Sequence, residues 1–474
     1  MSRITQLFEK VFSEKSNDNA FVFCEKGRLC TRTFGQLEAD VRLMRHHLHS
    51  TGAQKGDRIL VFAKPCYKLC ALMIASLMSG ISVMYVDIWA KQDRLKNAFQ
   101  SYRPDYVAVS DSTRYLRFLF REIGRIKSVI NIDRTASADE TSSVTAESDE
   151  QDIALLTMTT GSTGTPKIAV RTHHDLYEQI KLTSANMQDM PHSPVVLTTS
   201  YIYVFANILS GFCTVLPQLD LKKKPAAIDK KLAVFSGIPI DAIITSPDFC
   251  LKARNVFPKL KTLYLGGAIL NPYEARTILH KFGSADIVYI YGATECNLIC
   301  CTSLSDYLCR LEKEGVSCLG HPADGVQVRC TDADEILVSS DALLENYLTA
   351  DRSNKVTDEN NRLWHSTGDC GMMEDGQLLY FGRSDRKLTL NGKTMYSSQL
   401  EQDIARRFSS IRKCAVLQKD DTVFVFVEGG LDKAALQEYL GGISIKLIQL
   451  KHIPCDVKHH TKINYRKLEK RMHK

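Results

Sequence analysis

The sequence predicts a two-part architecture: a large α/β domain with parallel-rich sheets over residues 1–384, followed by a small α+β domain over residues 385–474. Three observations predict it. At 474 residues the chain is too long for one hydrophobic core and fits two or three domains. Short runs of β-preferring residues alternate with stretches of helical spacing, the rhythm of a parallel sheet covered on both faces. Beyond Asp385 this gives way to a strand pair, a helix and one more strand, a small α+β pattern of roughly 90 residues.

Taken in order, Leu37, Val41, Met44 and Leu48 repeat at helical intervals and predict a helix over 36–49, stopped at Gly52. Lys55-Gly56-Asp57 then turns into a strand over 58–62. The most apolar run, 70–86, is interrupted by Ser76, Ser79, Gly80 and Ser82, and is too short to span a bilayer. It predicts a buried helix, a turn at Gly80 and a strand ending at Asp87. Further strands are expected over 106–109 and 129–132. The Ser-, Thr- and acid-rich stretch 136–152 reads as a solvated connection into a strand over 153–156. Strands resume over 242–246, 262–265 and 287–290. In the last part, strands over 413–417 and 422–427 flank a turn at Lys419-Asp420-Asp421, with a helix over 432–440 and a strand over 444–448.

A composition of 44% hydrophobic and 24% charged residues is that of an ordinary globular protein. The net charge of +7 is modest for this length and does not mark a nucleic-acid binder. The basic stretch 451–474 lacks interleaved aromatics and a groove-reading motif, so no nucleic-acid partner is expected. Fifteen cysteines, an odd number, are scattered from Cys24 to Cys455 with no framework spacing and no preceding secretory signal, which predicts reduced thiols in a cytoplasmic protein. Cys66 and Cys70 read as core residues of one helix face. Cys296, Cys300 and Cys301 lack the paired spacing of a zinc site.

The stretch richest in chemistry is Thr159-Thr160-Gly161-Ser162-Thr163-Gly164-Thr165-Pro166-Lys167. Two glycines let the backbone bend and expose successive N–H groups, the hydroxyls donate, and the lysine adds a positive charge. All of this suits a triphosphate, although the spacing fits neither the Walker pattern nor the dinucleotide fingerprint. The alternative is an ordinary Ser/Thr/Gly turn. Tyr291-Gly292-Ala293-Thr294-Glu295 follows the strand at 287–290 and puts a hydroxyl and a carboxylate at a strand end, hard oxygens of the kind Mg²⁺ selects. Leu265-Gly266-Gly267-Ala268 permits close approach of backbone to a flat ring.

Together these motifs resemble the signature series of the adenylate-forming superfamily: acyl-CoA synthetases, luciferases and nonribosomal-peptide adenylation domains. Ser366-Thr367-Gly368-Asp369, Gly382-Arg383-Ser384-Asp385 and Thr461-Lys462-Ile463-Asn464-Tyr465-Arg466 extend the resemblance from Phe34 to Arg466. It implies ATP as substrate, with Thr159, Thr160, Gly161, Ser162, Thr163 and Gly164 on its phosphates and Gly266, Gly267 and Ala268 beside adenine. Tyr291, with Gly292 and Ala293, would stack near that base. Thr294 would touch the α-phosphate, Glu295 bind Mg²⁺, Asp369 take both ribose hydroxyls, Arg383 contact ribose and Asp385 act as the interdomain hinge. Lys167 and Lys462 would offset charge during catalysis.

The departures are Thr160 and Ile168 in the loop, Arg386 and Thr389 after the hinge, and Thr461 before the lysine. The implied activity is activation of a carboxylic acid to an acyl-adenylate with release of pyrophosphate, then transfer to a thiol, CoA first and a carrier protein as another acceptor. The stretches 204–211 and 455–463 are also similar to olefin β-lactone synthetases, whose substrate is a β-hydroxy acid. A fatty acyl or aromatic acid fits the residue types of 201–211 equally. The departures also leave open a non-catalytic nucleotide-binding relative.

Overall fold

Most of the short apolar runs become sheet strands, and they do so in two compact units that are described separately. The computed structural model describes residues 1–86, 98–113, 126–133, 148–158, 167–187, 190, 193–254, 257–344, 346–348, 354–456 and 461–472. The first unit comprises Met1–Gln218, Thr294–Asn297 and Asp341–Ser353; the second comprises Leu219–Ala293, Leu298–Ser340 and Asn354–Lys474.

In the first unit a seven-stranded sheet runs in the order Asn346–Tyr347, Ile168–Thr172, Ile153–Met158, Ser82–Tyr85, Arg58–Phe62, Tyr106–Val109 and Ser128–Asn131. The last five are parallel, as the alternation predicted. Ile168–Thr172 was not expected as a strand; it returns antiparallel against Ile153–Met158, with Met158 opposite Ile168. Ile168, which stands where the superfamily pattern has glycine, is buried at the start of that strand, a position that suits a β-branched side chain. Helix Tyr67–Met78 is buried on almost every side, Gly80 turns with φ 63°, and the expected end at Asp87 lies outside the described residues. A second run of strands joins Arg28–Thr33, Asn19–Glu25, Cys213–Leu216 and Val195–Thr198.

Helix Arg3–Glu14 is tied down at its start. Ser2 caps it, its N–H donates to the Ser148 carbonyl at 2.6 Å, and its hydroxyl lies 2.9 Å from both Ser148 Oγ and His173 Nδ1. His173 is fully buried at the start of helix His173–Ala185, and burial lowers its pKa to about 4 despite Asp152 and Glu150 nearby.

The second unit contains parallel strands Ala242–Thr245, Thr262–Gly266 and Asp286–Tyr291, continued antiparallel by Cys300–Ser303 and His321–Pro322. An antiparallel sheet not anticipated from the sequence follows: Ser317–Cys318, Gln377–Arg383, Leu363–Glu374, Glu335–Ser339 and Gln327–Cys330, with Lys355–Thr357 beside Leu363–Glu374. Hairpin Lys387–Leu390 and Lys393–Tyr396 leads to helix Ser397–Arg407 and the sheet Ile411–Lys419, Thr422–Gly429 and Ser444–Gln449. In its central strand Val423, Val425 and Val427 enter one apolar cluster while Phe424 and Phe426 enter another, so both faces are covered and the run reads as continuously apolar. Asp420 takes φ 51° at the predicted turn. No helix among the described residues is long and apolar enough to cross a membrane, and all fifteen cysteines are free thiols.

Candidate active site

The residues singled out in the sequence fall into two groups, one in each unit. In the first unit, Ile153–Met158 and Ile168–Thr172 enter and leave the Ser/Thr/Gly loop. Thr159, Thr160, Gly161, Ser162, Thr163 and Gly164 lie outside the described residues. Lys167, at the end of the loop, has its ammonium 5.6 Å from the centre of the Tyr347 ring. The Tyr347 hydroxyl donates to Glu295 Oε1. The main chain of the Thr294–Glu295 segment is held from two sides: Arg171 Nη2 donates to the Thr294 carbonyl at 2.7 Å, and Leu344 N–H donates to the Glu295 carbonyl at 2.8 Å. Arg171 is 1% exposed, and burial lowers its pKa to about 10, opposed by the charges of Glu295 and Asp175.

In the second unit, Gly267, Ala268, Tyr291, Gly292, Asp369 and Lys462 line one cavity of about 190 Å³, together with Arg383. Local chemistry explains their positions. A Cβ on Gly266 would lie 3.0 Å from the Ile290 carbonyl oxygen, and Gly267 turns with φ 104°, so this corner is built for glycine. Ala268 offers its carbonyl to the Tyr289 hydroxyl at 2.7 Å. Tyr291 ends strand Asp286–Tyr291 and donates its hydroxyl to Asp369 Oδ2 at 2.7 Å, while Ala293 lies two residues further on. Asp369 and Arg383 are directly opposed across two antiparallel strands, and Arg383 Nη1 donates to Asp369 Oδ1 and to the Thr367 carbonyl, each at 3.1 Å. Burial pulls the Arg383 pKa down, but Asp369 and Asp385 more than offset it, Asp385 standing 3.8 Å from Arg383 Nε.

Lys462 sits on a short backbone bridge between Cys455 and Ile463, and its carbonyl accepts from Asp456 N–H at 2.7 Å. The preceding carbonyl, of Thr461, accepts from Lys413 Nζ at 3.0 Å, and Lys413 is paired with Glu274 at 3.0 Å where both side chains are largely buried. Lys462 is exposed and lines the cavity, and its pKa is lowered by desolvation and the nearby Arg383 and Arg386 charges, with Asp369 opposing. Glu401, Tyr465 and Arg386 complete this wall. The Tyr465 hydroxyl is 2.8 Å from both Glu401 oxygens, Val416 N–H donates to Glu401 at 2.8 Å, and the Arg386 guanidinium lies 3.9 Å from the centre of the Tyr465 ring. Burial raises the Glu401 pKa to about 7.

Sequence reasoning missed Arg171, Tyr347, Glu401 and Tyr465. For Arg171 a signal existed, a single charge at an inward strand position within Ile168-Ala169-Val170-Arg171-Thr172. Tyr347 and Glu401 are fixed by tertiary packing and carry no local signature, while Tyr465 stands within the Thr461–Arg466 motif with no role assigned there.

A fold of this design with these strand-end motifs defines an AMP-forming ligase. The family described as AMP-binding enzyme matches residues 8–348, and the chain belongs to it, within the adenylate-forming superfamily. It is 23% identical over 409 residues to the D-alanine–D-alanyl carrier protein ligase of Staphylococcus aureus (strain bovine RF122 / ET3-1), covering 82% of this chain and 81% of that protein. Among solved structures it is similar to an amide bond synthetase from Marinactinospora thermotolerans, with TM-score 0.82 at 17% identity over 98% of this chain and 99% of that one. It is also similar to the o-succinylbenzoate CoA synthetase of Bacillus subtilis bound to its acyl-adenylate, with TM-score 0.79 at 16% identity over 98% and 97%.

Proposed function

We propose that this chain uses ATP to convert a carboxylic acid to an acyl-adenylate with release of pyrophosphate, and passes the acyl group to a thiol, that of CoA first. The observation that carries the reading is the cavity in the second unit, which Gly267, Tyr291, Asp369, Arg383 and Lys462, from separate stretches of sequence, line together. Asp369, already oriented by Tyr291 and Arg383, has lone pairs remaining for ribose hydroxyls. A substrate carboxylate oxygen bonds to the α-phosphorus as the bond from that phosphorus to the bridging oxygen breaks, and that oxygen leaves with pyrophosphate. Lys462 and Lys167 offset the charge that accumulates on the phosphoryl oxygens.

Thr294 and Glu295 supply a hydroxyl and a carboxylate, a donor set that fits Mg²⁺ retaining waters and phosphate oxygens as its other ligands. Bound there, the ion would neutralise phosphate charge. The small domain 385–474 turning about Asp385 would expose the adenylate to the thiol. The relationship to carrier protein ligases supports a second reading in which a carrier-protein thiol is the acceptor. A fatty acyl or β-hydroxy acid remains within the substrate class. Fifteen free thiols fit a reducing, cytoplasmic setting.

The test is mass spectrometry of products from a panel of carboxylic acids with ATP and Mg²⁺, with and without CoA. Acyl-AMP alone, then acyl-CoA when CoA is added, is the expected result. A product lighter than its β-hydroxy acid by one water would replace the thiol with the substrate's own hydroxyl. No adenylate from any acid would end the ligase reading.

A further inference from the structure

The most unusual buried group in the first unit is a guanidinium. Arg171 is 1% exposed and is among the largest fully buried side chains of the protein. Taking a full charge out of water is expensive, and an apolar side chain of similar volume such as methionine would fill the same space at less cost. Packing alone therefore does not account for arginine here.

Its bonds show what the charge and its planar fork can do. Nε donates to Gln179 Oε1 at 2.8 Å, Nη1 to Thr157 Oγ1 at 2.8 Å, and Nη2 to the Thr294 carbonyl at 2.7 Å. Gln179 Oε1 also accepts from Asn297 Nδ2 at 3.2 Å, and Gln179 Nε2 donates to the Ala342 carbonyl at 3.3 Å. Thr157 lies on the strand that leads into the Ser/Thr/Gly loop, Arg171 on the strand that leads out of it, and Thr294 immediately precedes Glu295. One rigid fork thus joins the strand at Thr157 and the helix at Gln179, 14 and 8 positions away, to the carbonyl of Thr294, 123 positions away. Lysine, with a single nitrogen, cannot hold three acceptors in this fan.

We propose that Arg171 is a positioning residue for adenylation: it ties strands Ile153–Met158 and Ile168–Thr172, the second of which directly follows Lys167, to the Thr294–Glu295 segment, so that Lys167, Thr294 and Glu295 are set as one body. The inference rests on the ligase reading above. It assigns Arg171 no contact with substrate. Its effect is expected on the chemical step and on handling of the β- and γ-phosphates, with adenosine recognition left alone, because the cavity carrying Asp369 and Tyr291 belongs to the second unit.

The experiment compares wild type with Arg171→Met, Arg171→Lys and the milder Thr157→Val in the full chain. It measures ATP–pyrophosphate exchange with an accepted acid, calorimetric affinities for AMP and Mg·ATP, and melting temperature. Arg171→Met should lower kcat for exchange about 10- to 100-fold, the scale of a small misplacement of catalytic groups, with AMP affinity within about twofold of wild type. Arg171→Lys should fall nearly as far, and Thr157→Val several-fold. Arg171→Met that melts early yet exchanges at the wild-type rate per folded molecule would reduce Arg171 to a structural role and overturn the proposal. So would Arg171→Lys at the wild-type rate, or equal losses of AMP and ATP affinity. Should Arg171→Met not fold, Thr157→Val at the wild-type rate overturns it instead. A wild type that binds Mg·ATP and exchanges, with variants unaffected, ends this inference alone; a wild type that binds no ATP ends the ligase reading itself.

Discussion

Glu295 in the first unit and Asp369 in the second are two carboxylates singled out in the sequence, and they are held in different ways. Asp369 is fixed by its side chain, with a phenol on one oxygen at 2.7 Å and a guanidinium on the other at 3.1 Å. Glu295 is fixed through its peptide, with Arg171 on the carbonyl before it and Leu344 N–H on its own, and with Tyr347 at one carboxylate oxygen. A side-chain clamp presets an acceptor for a ligand that arrives whole. A main-chain clamp presets the place of a residue, and here Tyr347 holds one oxygen of its head group as well. The first arrangement suits a nucleoside, the second a shell of phosphates and water around a cation.

The largest expected effect tests the cavity side of this contrast. Lys462→Ala should lower single-turnover acyl-adenylate formation at least about a hundredfold, the usual loss when a preorganised charge stabiliser is removed, while ATP still binds. Adenylate formed at the wild-type rate would detach Lys462 from the chemistry.

Next is Asp369→Ala, which removes a charged acceptor whose hydrogen bonds contribute about 1.5 to 3 kcal/mol each. AMP affinity measured by calorimetry should fall roughly tenfold or more. Unchanged affinity would place Asp369 outside the nucleotide site. It would also erase the distinction between the two carboxylates.

A smaller effect separates the two units by pH. Burial raises the Glu401 carboxyl from 4.5 to about 7, so its contribution to stability is complete below pH 4.5 and is lost as pH rises through 7. Burial lowers His173 from 6.5 to about 4, so its contribution is present above pH 6.5 and is lost as pH falls through 4. Each swing should amount to about 1–2 kcal/mol once relaxation and water entry reduce the full shift. Hydrogen exchange resolved by peptide should therefore show the end of the chain around 397–419 loosening toward alkaline pH and the helix at 3–14 loosening toward acid. Glu401→Gln should flatten the first trend and leave the second. Parallel loosening of both regions would defeat the assignment of opposite signs.

Much of the fold was legible because its strands are apolar on both faces: 58–62, 106–109 and 262–265 announce themselves without context. The sheet from Ser317 to Arg383 did not. Leu363–Glu374 contains Ser366, Gly368, Asp369 and Gly371, residues with little strand preference, and is a strand because partners lie along both of its edges. The site was read from motifs whose backbone needs are local, such as Gly267 with its positive φ and Tyr291 at a strand end. Arg171 and Tyr465 escaped because their roles exist only after distant segments meet. Ile168 stands out in the sequence only as a departure from the loop pattern, whereas it begins an unforeseen strand and is buried there.

The tie between Ser2 and His173 has a consequence on the ribosome. The bond spans 171 positions of chain. At a synthesis rate of about 5–20 residues per second, Ser2 waits on the order of 10–30 s for its partner to be made. During that interval helix Arg3–Glu14 carries an apolar face made of Ile4, Phe8, Val11 and Phe12 with no His173 helix to close against. Isolated helices of this length are marginal in water. The helix at 3–14 therefore acquires its final contacts only after the helix at 173–185 has been made.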